Sequence, residues 1–140
     1  MAVISVIVAT ATGCADGLSF RQDDRLVIVA PLDGELVGEP LLVEWKMTPR
    51  PSSVAGFLVF VDRAPQPPGK TIGHFTSDNR SNIYETLTES FEVPAFESSA
   101  TGPKNRRNRH RILIVPVDAA GRRIGESSTH TEIDVFREDL

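Results

Sequence analysis

A single cysteine, Cys14, stands in the 140 residues of this chain. No internal disulfide is possible, and a cysteine-based zinc site is excluded with it. Tryptophan and tyrosine occur once each and aromatics make up 6% of the chain, thin provision for a groove paved with rings. Cations are outnumbered, 15 Lys and Arg against 19 Asp and Glu, so a net charge of −4 leaves no footprint for nucleic acid as a partner. Nowhere do ten residues hold a helical period between caps, which excludes a long helix. Internal repeats and heptads are absent as well.

What remains is ordinary globular material. Hydrophobic residues make up 40% and charged residues 24%, enough apolar content to close a core. The length suits one domain, and a chain of this size buries roughly two-thirds of its unfolded surface without metal or disulfide. Ten prolines and ten glycines fit many turns.

From Arg25 onward the text reads as short strands divided by turns. Residues 25–30 form a β-branched run closed by Pro31 and the turn Leu32-Asp33-Gly34, and 35–37 form a brief extended piece. In 41–46, Leu41, Val43 and Trp45 alternate with Leu42, Glu44 and Lys46, the period of a strand buried on one face. Residues 57–61 (FLVFV) are apolar throughout, as a central strand requires. A proline-rich loop, 63–69, follows; it either covers a sheet edge or serves as a contact. Further strands are expected at 83–87, 90–93 and 111–117, with Pro116 marking a bulge or an edge. A tight turn at 118–121 leads to a return strand at 122–126, and 129–137 closes the domain.

These spacings predict an all-β, immunoglobulin-like β-sandwich of about seven to eight short antiparallel strands. The domain is expected over 25–137, with an apolar leader and linker at 1–24 and a tail at 138–140. Trp45, Phe57, Val59, Val61, Leu113, Val115 and Ile133 are the expected inward residues. The stretch from Ala30 to Trp45 (APLDGELVGEPLLVEW) resembles the opening of bacterial immunoglobulin-like and fibronectin-like extracellular domains. The Phe57–Asp62 run and the late turn 117–125 resemble them too. The likeness covers roughly residues 26–136 and implies a fold and an extracytoplasmic setting, not an activity.

Residues 1–13 (MAVISVIVATATG) carry no charge and end in small residues before Cys14. At thirteen residues they fall short of the roughly 20 that span a bilayer as a helix. The segment resembles a bacterial lipoprotein signal, which implies lipidation of Cys14 and a place on the periplasmic side of the envelope. Ala11 stands where such signals prefer leucine, and no basic residue precedes the apolar run. A β-strand or a membrane-dipping tail is the alternative reading.

Chemistry-bearing constellations are sparse. His74, His110 and His130 have no spacing that puts two metal ligands on one element, and read as surface or turn residues. No serine sits in a nucleophile setting such as Gly-x-Ser-x-Gly. Gly69-Lys70-Thr71 mimics the end of a phosphate loop, but Ala64 occupies the place of its first glycine. The expectation is therefore a chain without catalytic machinery, cofactor or metal. One feature stands out: Lys104, Arg106, Arg107, Arg109 and Arg111 fall within eight residues, and setting them aside leaves the remaining chain at −9. They are expected on a loop, either simply solvated or docking a partner. The partner would be a membrane protein or larger membrane complex (respiratory, photosynthetic or transport), or an anionic membrane surface. A free-standing small-ligand or carbohydrate-binding module is the second functional expectation.

Overall fold

The computed structural model describes residues 21–97 and 107–136, the side chains of 107 and 108 excepted. Nine strands make up the domain: β1 Arg21–Gln22, β2 Leu26–Ala30, β3 Leu36–Val37, β4 Leu41–Met47, β5 Gly56–Val61, β6 Ile83–Thr86, β7 Ser90–Val93, β8 Arg107–Val117 and β9 Ser127–Phe136. Two single 3₁₀ turns, Ile72–His74 and Ser77–Asn79, interrupt the connection from β5 to β6, and no α-helix occurs among the described residues.

The strands form two packed sheets. One has the order β2-β4-β7; the other runs β1-β9-β8-β5-β6, with β3 also on β9. This is the sandwich order expected of an immunoglobulin-like domain, and the all-β class is as the spacing predicted. Two departures concern β1 and β3. Both pair with β9 in parallel, at its two ends, Arg21 opposite Ser127 and Val37 opposite Val135. Among the described residues, strand pairing is thus already present at Arg21, and the larger sheet is mixed rather than purely antiparallel.

Alternation sets the core. In β4 every second residue from Leu41 to Met47 is buried, and Trp45 meets Phe57 edge-on with ring centroids 5.5 Å apart. Phe57, Val59, Val61, Ile112, Ile114, Ile133 and Val135 complete the layer between the sheets. All six residues of β5 are buried, because its far side is covered as well. There Leu58, Phe60, Leu113, Val115 and Val117 make a second cluster, roofed by Phe75 and Ile83. Leu113 and Val115 thus face outward from the sandwich, contrary to expectation. In β8 it is the even positions, Ile112 and Ile114, that point between the sheets.

The roof is the β5–β6 connection, and its proline segment is pinned by a buried cation. Arg123 is 2% exposed, and its guanidinium donates to the carbonyls of Gln66 (2.8 Å) and Glu126 (3.3 Å). Its backbone also exchanges hydrogen bonds with Gly69 and Lys70. Residues 122–126 are accordingly not the expected return strand. They make one bridge, Val117 to Arg123, and β9 is the true return. The turn before it is as read: Gly121 has φ +77° and Asp118 accepts from the Ala120 and Arg122 amides. Pro116 lies beyond the last β8–β9 pair, Ile114 with Thr129.

Candidate functional site

A recess lined by charged and apolar residues lies on the outer face of the larger sheet, beside the second cluster. Asp62 builds its rim. It follows the last residue of β5 in a left-handed conformation (φ +56°), which an Asp tolerates and which turns the chain out of the sheet. Its Oδ1 accepts from the Arg111 amide at 2.8 Å, and its own N–H donates to the Arg111 carbonyl at 2.9 Å. Its Oδ2 sits 2.5 Å from His110 Nδ1.

His110 is 3% exposed and lies against Phe96, with ring centroids 5.0 Å apart. It is a core histidine, not the surface group the sequence suggested. A ring nitrogen bonded to a carboxylate is the N–H donor in the neutral tautomer, so Nδ1 carries that proton. Nε2 is buried without a hydrogen-bond partner among the described residues.

The floor comes from pairing between β8 and β9, where Arg109, Arg111 and Leu113 lie opposite Asp134, Glu132 and His130. Arg111 reaches Glu132 at 2.9 Å; Arg109 lies 3.8 Å from Glu132 and 3.4 Å from Asp134. Both arginines are half-exposed or more, so each pair adds at most about 1 kcal/mol to stability. Arg63 closes the side. Its guanidinium lies 4.6 Å over the Phe75 ring and donates to the Ser81 carbonyl at 2.7 Å, while its Nε is buried without a hydrogen-bond partner among the described residues. With Ala64, Pro65 and Leu113, the Asp62, Arg63, His110, Arg111 and Glu132 side chains line an open recess of about 410 Å³.

Cys14, Lys104 and Arg106 fall outside the described residues. Arg107 opens β8 opposite Phe136, so residues 107–111 are strand and not the expected loop. The reason is legible afterwards. Arg109 and Arg111 alternate with His110 and Ile112, a period of two that keeps charges out and apolar groups in. Arg63, Asp62 and His130 were missed because they come from a loop and a neighbouring strand that no spacing ties to the basic run.

The two ends of the larger sheet differ. The chain enters on β1 beside Ser127, whereas the basic start of β8 lies beside Phe136. Nine residues of β9 separate them, roughly 30 Å at the rise of an extended strand.

Elsewhere, Asp23 ties the β1–β2 turn to β9. It accepts from Arg25 Nε and NH2 at 3.0 and 2.8 Å and from Ser127 Oγ at 2.6 Å. The Arg25 guanidinium above all holds this carboxyl well below the usual carboxylate range.

No protein-family model matches this chain, and no curated protein does. A solved structure that does match is the copper(I) form of a chitin-active lytic polysaccharide monooxygenase. It shares 12% identity over 75% of this chain and 59% of that chain, at a TM-score of 0.41. That neighbour is an enzyme, and the expectation of a chain without catalytic machinery, which rested on missing sequence motifs alone, is corrected by it. A likeness of this degree assigns no activity here.

Proposed function

We propose that this domain is an accessory subunit of a bacterial envelope, held on the periplasmic side through the segment before Arg21 and docking a membrane protein or larger complex. The observation that carries the proposal is the separation of the two ends of the larger sheet. The chain arrives at one end, and β8 starts with Arg107 at the other, Arg109 and Arg111 following toward the middle of β9. A domain standing on its entry end would hold the start of the basic strand roughly 30 Å from the bilayer and Arg111 roughly 17 Å from it. Charge screening acts over about 8 Å at physiological salt, so this favours a protein partner over the lipid surface. Lipidation at Cys14 is part of the same reading and rests on the leader's resemblance to lipoprotein signals.

A second reading, a ligand-binding module, is favoured by the recess of about 410 Å³, which falls in the usual range for small-molecule sites.

Site-specific photo-crosslinking in native cells tests the first reading. A crosslinker replacing the exposed Phe136 should yield a covalent adduct with a membrane protein, while one replacing Val29, on the outer face of the small sheet, should not. Adducts from position 29 alone would move the docking face to the other sheet. A soluble chain with an unmodified N-terminus by intact mass would end the tether.

A further inference from the structure

We propose that the recess on the outer face of β8 and β9 is a binding site for a single carboxylate carried on a short apolar group, with Arg63, Arg111 and His130 as donors. The acceptors already there are spent. Asp62 takes the His110 ring and the Arg111 amide, and Glu132 takes Arg109 and Arg111. Donors are in surplus. Arg63 uses Nη1 on Ser81 and leaves Nη2 without a hydrogen bond among the described residues, while its Nε is buried. Arg111 spends one nitrogen on Glu132. His130 is exposed, and its ring has no hydrogen-bond partner among the described residues.

Charge selects the ligand class. Three arginines line the recess against Asp62 and Glu132, and Asp134 answers Arg109 from its edge, so the fixed charges there are balanced. A monoanion then adds one charge beside these carboxylates and a phosphate dianion two, which favours the single carboxylate. Geometry agrees, since a guanidinium fork matches a carboxylate's two oxygens, and Arg63 is held over the Phe75 ring before any ligand arrives. Ala64, Pro65 and Leu113 supply the apolar wall for the rest of the molecule. The acid is either a free small molecule or the side chain or C-terminus of a docked protein. The site stands whether or not the domain is tethered, so its failure and that of the envelope reading are separate events.

The test is an amide NMR titration of the folded domain with butyrate, inorganic phosphate and a short peptide ending in an acidic residue. Butyrate should shift amides at Arg63, Arg111 and His130 and bind at least tenfold more tightly than phosphate. Binding should fall tenfold or more in Arg63→Gln and in His130→Ala, both with unchanged spectra elsewhere. Arg50→Gln, whose parent side chain lies over Phe57 and pairs with Glu89, should bind like the parent. Butyrate binding alone identifies a free acid as the source, and tighter binding of the peptide identifies a protein carboxylate. No shift at these residues with tens of millimolar acid, phosphate binding as tight as butyrate, or affinity indifferent to both substitutions would overturn the proposal.

Discussion

Phe60→Ala is the perturbation that separates a true second core from a loosely draped loop. Phe60 is fully buried, faces away from the small sheet, and meets Phe75 at a centroid distance of 6.4 Å. Burying about 150–200 Å² of phenyl surface at about 25 cal/mol per Å² amounts to about 4–5 kcal/mol, in line with the usual cost of 3–5 kcal/mol for this truncation. A domain of this size has about 5–15 kcal/mol in total. The variant should therefore lose a large share of its stability, about as much as Phe57→Ala in the layer between the sheets. Urea denaturation with unchanged m-value is the assay. The consequence reaches the recess, because Phe75 is the platform on which Arg63 lies, so hydrogen exchange in residues 63–81 should accelerate under native conditions. A loss under about 1 kcal/mol, with Phe57→Ala remaining severe, would show that the β5–β6 connection merely covers the sheet.

Acid should destabilise the protein partly through Asp23. A carboxyl whose folded pKa is depressed contributes its full stabilisation above the unfolded value, near 3.9, and loses it as pH falls below that. The stability gap between the parent and Asp23→Asn should thus be constant from pH 7 to about 5 and shrink toward pH 2.5; parallel curves in a pH series of urea melts would refute this. Gly56→Ala should cost about 1–3 kcal/mol, since an added Cβ would lie 2.8 Å from the Thr86 carbonyl oxygen and force β6 from β5. Faster amide exchange confined to β6 is its signature. Arg109→Gln should change the melting temperature hardly at all, as its ion pairs are exposed. A drop worth more than about 1 kcal/mol would mean the β8–β9 charge ladder is a structural network.

Where burial follows a period of two, the sequence was a faithful guide. The alternation from Leu41 to Met47 located a one-face strand with Trp45 inside, and the unbroken run through Phe60 located a strand covered on both sides. In β8 the same rule misled, because 112–117 (ILIVPV) are apolar at every position and either phase satisfies them. Only the preceding Arg109-His110-Arg111 sets the phase: the arginines must point outward, which sends Ile112 and Ile114 inward. The charges were read as a reason to end the strand, when cross-strand Glu132 and Asp134 let it continue.

The site was barely legible, and the cause is chemical. Its cations could be counted, but their meaning depends on which acceptors the fold places beside them. Arg109 and Arg111, the two docking candidates with described side chains, are largely answered within the domain by Glu132 and Asp134. The unanswered donors, Arg63 and His130, lay outside the basic run altogether. Arg123 makes the point most sharply. An arginine in a turn reads as solvated surface, since such a side chain is rarely buried unless paired. Here the pairing is with carbonyls of Gln66 and Glu126, and every residue carries a carbonyl, so no spacing advertises it. Burial pulls its pKa below the ordinary arginine value, yet a guanidinium remains charged and needs those two oxygens. It follows that the loop carrying Arg63 is held in place by a cation some sixty positions downstream, and the recess depends on a contact that only the folded topology creates.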